Sequence, residues 1–168
     1  PGDFFIIFFS GFGGLLKDQN NDEYDWLDQT WCLYDRQFTD DELFYYLSKF
    51  NEGVRVLVLQ DSSGSGQIQK GMALSEIDAI DKFNSNISDK GIRYKFIPDV
   101  ALIKTYNNNK ELYDKIAGDK NLIEEANKIK AAVTILSSCD KYHYAQDGEI
   151  NSLFTLTLLN VWDKGSFN

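Results

Sequence analysis

Three short segments of this chain are bulky and apolar on both alternating faces: Phe4–Phe9, Val54–Leu59 and Ala132–Leu136. A strand with one wet face alternates apolar and polar residues, whereas a strand covered on both sides by helices does not. The three segments therefore predict central parallel strands. Between the first two, Thr39-Asp40-Asp41-Glu42 has the form of a capping box. Leu43, Phe44, Leu47 and Phe50 then recur at helical spacing until Asn51-Glu52-Gly53 stops the turn. Asn109–Ala117 and Leu122–Ile129 are two further helical patterns, with Leu112/Ile116 and Leu122/Ala126/Ile129 as inward stripes and Gly118-Asp119 between them. Leu153–Trp162 is apolar nearly all round, which predicts a buried helix. Ile92–Ile97, ahead of Pro98, predicts a short strand or hairpin arm, while Asp18–Asp28 and Gly64–Gly71 read as polar loops. There is no internal repeat and no low-complexity segment.

Composition narrows the partners. The chain has 168 residues, enough for one α/β core that buries roughly 68–70% of the unfolded surface. Its 26 acidic residues outnumber 17 basic ones, and a formal charge of −9 with no Lys/Arg-rich run repels phosphate backbones and anionic lipid. Nucleic acid and membrane are not expected partners. Cys32 and Cys139 are too few and too far apart for a disulfide framework or a four-ligand zinc site. They read as buried thiols in a reducing, cytoplasmic setting. The longest apolar stretch, near Phe4–Phe9, is too short to span a bilayer, and the start lacks the basic-then-apolar form of a signal peptide. Pro1-Gly2 leads almost at once into the most hydrophobic strand, so the domain is expected to begin earlier.

The loops after the strands carry the candidate chemistry. Asp3–Ser10 runs into Gly11-Phe12-Gly13-Gly14, and Val54–Gln60 into Asp61-Ser62-Ser63-Gly64-Ser65-Gly66. Further along come Trp31-Cys32-Leu33-Tyr34-Asp35, Thr39-Asp40-Asp41-Glu42-Leu43, Ile135-Leu136-Ser137-Ser138-Cys139, Gln146-Asp147-Gly148 and Leu153-Phe154-Thr155 with Leu158-Leu159. In this order, and over nearly the whole chain, these segments resemble the caspase-like cysteine peptidases, most closely the metacaspase-like, bacterial orthocaspase-type branch. The resemblance implies an α/β, three-layer caspase-like sandwich: a mostly parallel sheet with helices on both faces, incomplete at both ends. It implies a single domain over 1–168, with 1–66 similar to the large subunit, 67–130 an insertion with helices, and 131–168 similar to the small subunit.

The family's first strand ends in Ser-Gly-His-Gly and its second in Asp-Ser-Cys-His-Ser-Gly. Here Phe12 stands at the histidine position and Ser63 at the cysteine position. A cysteine peptidase needs a thiolate, an imidazole that holds it and later protonates the leaving amine, and backbone N–H groups for the oxyanion. Phe12 moves no proton, and a serine hydroxyl ionises negligibly without an adjacent base. Removing either member of the nucleophile–base pair of an unrelated serine hydrolase costs on the order of a millionfold in turnover. The one histidine, His143, falls in the segment similar to the family's substrate loop and reads as a surface residue. Gly64-Ser65-Gly66 is no nucleophile elbow, and Gly11-Phe12-Gly13-Gly14 lacks the third glycine of a dinucleotide fingerprint, Leu16 standing in its place.

The resemblance implies two further sites. The family's pocket for an Arg or Lys side chain maps to Ser10 and Asp61, where a carboxylate at a strand's C-terminal end would suit a guanidinium. Asp61 as a loop or helix cap is the structural alternative, and Lys141 stands where the substrate loop often has an acid. Calcium, which activates many metacaspases, would be held at Asp40 and Asp41, with Asp18, Asn20 and Asp22 as nearby oxygen ligands. Glu23 and Gln29 break an EF-hand pattern there, and Lys70 falls near a further ligand position. Three functions follow as expectations: a pseudopeptidase that binds a peptide or protein without cutting it, a metacaspase-type endopeptidase specific for Arg or Lys whose dyad has been replaced, or a purely structural domain.

Overall fold

A computed structural model describes residues 2–17, 27–63, 93–95, 97–140 and 143–166. The three apolar segments form one parallel sheet, with β1 (Phe4–Gly11) beside β5 (Arg55–Ser62), and β5 beside β7 (Ala132–Ser137). Between β1 and β5 the chain makes a second, antiparallel sheet from β2 (Gly13–Lys17), β3 (Leu27–Cys32) and β4 (Gln37–Thr39). It then enters α1 (Asp40–Leu47). After β5 the described chain continues with β6 (Arg93–Tyr94), α2 (Asp99–Asn108), α3 (Lys110–Ala117) and α4 (Lys120–Ala126). Following β7 are β8 (Gln146–Asp147), which pairs antiparallel with β6, then α5 (Leu153–Trp162) and a 3-10 turn at Asp163–Gly165. The parallel sheet with its helices is the α/β class that the apolar pattern predicts.

Alternation along β5 sorts its side chains onto two faces. Val56 and Val58 face α1 and join Leu43, Leu47 and Val54 in the buried cluster, with Ile7, Phe38, Ile129 and Val133 packed around it. Asp61 belongs to the opposite set, and two side chains at the start of α5 reach it. The capping box read from sequence forms: Glu42 N–H donates to Thr39 Oγ1 at 3.2 Å, and Thr39 N–H to Glu42 Oε2 at 3.2 Å. Arg36 grips the same carboxylate with both terminal nitrogens, at 2.7 and 3.0 Å. The buried Tyr113 hydroxyl accepts the Gln37 N–H at 2.8 Å, tying α3 to β4.

Several expectations are corrected. α5 forms where predicted, but none of its residues is buried, and Leu153, Leu156, Leu159, Val161 and Trp162 are exposed. An all-apolar helix needs an element packed on each face to bury it, and only its N-terminal turn reaches the sheet's Asp61 side chain. Phe4, Ile6 and Phe8, one face of β1, are likewise exposed, so this strand is covered on one side among the described residues. Both cysteines are thiols, and both are half-buried rather than fully buried. Burial pushes the Cys32 thiol up to about 11, against a lowering hydrogen bond with Thr30. The Asp18–Asp28 loop enters β3 at Leu27, so its last residues are strand. Residues 18–26 and the Gly64–Gly71 loop lie outside the described residues.

Candidate functional site: the strand-end cleft

The register of the parallel sheet sets the site. Ser10 pairs with Asp61 and Gly11 with Ser62, so Phe12 and Ser63 follow directly at neighbouring strand ends. The C-terminal edge of a parallel sheet is where α/β folds place a binding crevice. Here it is lined by hydroxyls, one carboxylate and one ammonium. Phe12 is half exposed, and its carbonyl accepts the Cys32 N–H at 2.9 Å, which anchors the turn into β2.

Ser63 is buried and already engaged. Its hydroxyl donates to the Lys95 carbonyl and accepts the Ala145 N–H at 3.0 Å. A hydroxyl has one proton to give, and here a backbone oxygen takes it. His143 does not reach this network in any contact described. Its Nδ1 pairs with Asp140 Oδ1 at 2.6 Å, on a side chain 73% exposed. The surface reading of His143 stands.

Ser10 and Asp61, separated by 51 positions in sequence, are brought together: Ser10 Oγ donates to Asp61 Oδ2 at 3.3 Å. Asp61 is wholly buried. Its Oδ2 also accepts from Thr155 Oγ1 at 2.5 Å and from Ser152 Oγ, the residue that caps α5. Its Oδ1 faces Lys95 Nζ at 2.8 Å. Burial works to raise this carboxyl, but the hydrogen bonds from Lys95, Ser152 and Thr155 and the lysine charge outweigh it, holding the group below its ordinary value. Asp61 engages the start of α5 through the side chains of Ser152 and Thr155 and is not its cap, which is Ser152.

Lys95 is the residue that sequence reasoning missed. It is buried, and its Nζ donates to Ser10 Oγ at 2.9 Å and to the Asp61 carbonyl at 2.7 Å besides its ion pair. A signal was present: a lone acid ending an apolar central strand requires a counter-charge, and Lys95 lies in the segment predicted as a hairpin arm. That arm is β6, held to β8 by Arg93 opposite Asp147 and Tyr94 opposite Gln146, and extended by the Lys95 N–H on the Ala145 carbonyl at 2.9 Å.

Asp40 and Asp41 open α1, where Asp40 Oδ1 accepts the Asp41 N–H at 3.2 Å. Among the described residues no cluster of three or more His, Cys, Asp or Glu side chains is arranged to hold a metal. Asp18, Asn20, Asp22, Lys70 and Lys141 lie outside those residues. A separate groove of about 680 Å³ runs between α1, the antiparallel sheet and the end of β7, with Trp31, Phe38, Leu43, Phe44 and Cys139 among its walls. It contains none of Ser10, Asp61, Ser63 or Lys95. No described helix is long and apolar enough to cross a membrane.

A parallel sheet whose first two strands end side by side, with a buried acid at the strand end, defines an α/β domain. The caspase domain family matches residues 1–167, and the chain belongs to it. The crystal structure of protein GSU0716 from Geobacter sulfurreducens is similar, with 37% identity and a TM-score of 0.70 over 99% of this chain and 57% of that one. This chain thus spans a little over half the length of that protein. No curated protein matches it.

Proposed function

We propose that this caspase-family domain is a pseudopeptidase of the metacaspase-like branch, which holds an extended peptide or protein segment without cleaving it. The observation that carries the reading is the state of Ser63. At the nucleophile position there is a hydroxyl whose proton is committed to a backbone carbonyl, and a phenylalanine, Phe12, stands where a base is needed. General-base activation requires an acceptor within hydrogen-bond reach, and no imidazole or carboxylate is among the partners described for Ser63. The recognition half of the site is in better order, since Ser10 hydrogen-bonds the buried Asp61 and the Lys95 ammonium contacts both. The family's calcium site, through Asp40 and Asp41, is part of the same proposal.

The test is hydrolysis of fluorogenic peptides ending in Arg or Lys by the purified chain, with and without calcium. The expected rate equals the buffer blank in both cases. Turnover above the blank, in either condition, makes the domain an active peptidase and ends the pseudopeptidase reading.

A further inference from the structure

We propose that the groove between α1, the antiparallel sheet and the end of β7 is a second binding site, for an organic cation with an aromatic body, of the arylalkylammonium class. The inference is independent of the peptide-holding reading, because none of Ser10, Asp61, Ser63 or Lys95 lines this groove.

The groove is built from the core outward. Its volume of about 680 Å³ suits a small molecule. Leu43, Thr30 and Thr39, which line it, are buried. Trp31 is held in the wall by Phe9, stacked at 4.7 Å between ring centroids and 7° between planes, and by Phe38 at 6.0 Å. Phe44 of α1 adds a third ring to the lining, beside Trp31 and Phe38. Rings already fixed by packing lose little freedom when a ligand settles on them.

Charge selects the ligand. Asp40, at the start of α1, and Asp140, after β7, both line the groove, and none of its described lining residues is Lys, Arg or His. Each carboxylate is oriented through Oδ1: that of Asp40 accepts the Asp41 N–H at 3.2 Å, and that of Asp140 pairs with His143 Nδ1 at 2.6 Å. The formal charge of −9 draws cations to the surface as a whole. An anion is repelled by both acids. A bare metal ion finds no set of three His, Cys, Asp or Glu side chains among the described residues. A neutral apolar molecule would strip water from the carboxylates and give nothing in return. An ammonium group on an aromatic body meets both demands, since the charge pairs with a carboxylate and is also attracted to ring faces, while the body packs on the rings.

The experiment is isothermal titration calorimetry of the unmodified chain, in buffer with EDTA, with phenethylammonium chloride as the probe. Phenylpropionate keeps the ring and reverses the charge, and ethylammonium keeps the charge and lacks the ring; both serve as controls. The chain is expected to bind phenethylammonium at a single site and to bind neither control. Cys139 locates that site. Its thiol lines the groove, whereas Cys32 lies outside it and is pushed up to about 11, which keeps it protonated and slow to react. Saturating phenethylammonium is expected to slow iodoacetamide alkylation of Cys139, read by peptide mass spectrometry, in proportion to occupancy. Asp140→Asn should weaken binding about threefold, the worth of a partly exposed ion pair, and Phe44→Ala about fivefold, for the lost ring contact. Circular dichroism checks that both variants fold. No binding, equal binding of either control, an unchanged rate at Cys139, or an affinity unchanged in both variants overturns the proposal. Calcium chloride that protects Cys139 as well as the amine does, in buffer without EDTA, assigns the groove to the metal and overturns it too.

Discussion

A carboxylate ending a central strand must be compensated, and Asp61 is compensated four times over, by Lys95, Ser10, Ser152 and Thr155. Removing one member of a buried pair costs about 3–5 kcal/mol, because the other is left uncompensated. Asp61→Asn is therefore expected to lose about that much stability at pH 7, measured by urea denaturation. The pH dependence follows from the sign of the shift. Asp61 lies below its ordinary 3.8 when folded, so its contribution is complete above that value and is lost as pH falls through the folded one. Below about pH 4 the unmodified chain should lose stability more steeply than Asp61→Asn; parallel curves would contradict the ion pair. Ser10 and Asp61 could be named in advance because their positions match a family motif. Lys95 could not, because its distance from Asp61 in sequence carries no periodic signal and depends on the pairing of β6 with β8.

At the scale of elements, what repeats locally was legible and what closes over distance was not. The doubly apolar segments became β1, β5 and β7, and the capping box fixed the start of α1 to the residue. The helix ends three residues short of Phe50, where Ser48 and Lys49 turn back onto Phe44 and Tyr46. The antiparallel sheet went unread, since Gly13-Gly14 and Asp28-Gln29-Thr30 look like loop chemistry until they pair with each other. The helix Asp99–Asn108 was missed as well, its weak stripe following directly on Pro98. α5 was placed correctly and its burial was not, because apolar composition states a demand for cover without supplying it. The capping box gives an element-level test. Thr39→Ala removes the acceptor of the Glu42 N–H, and the expected cost is about 1 kcal/mol by chemical denaturation. Arg36 still holds Glu42 at two points, so an unfolded variant would exceed what the cap accounts for.

At the scale of the molecule, the caspase-family framework is present, and at its strand ends Ser63 and Asp61 both find a partner in the same residue, Lys95. The central claim is that this framework holds a peptide without cutting it. Hydrolysis of fluorogenic peptides ending in Arg or Lys, by the unmodified chain and by the Phe12→His/Ser63→Cys variant side by side, tests it most directly. The unmodified chain should stay at the buffer blank and the double variant should rise above it. Turnover by the unmodified chain, or a folded double variant that stays at the blank, would contradict the account.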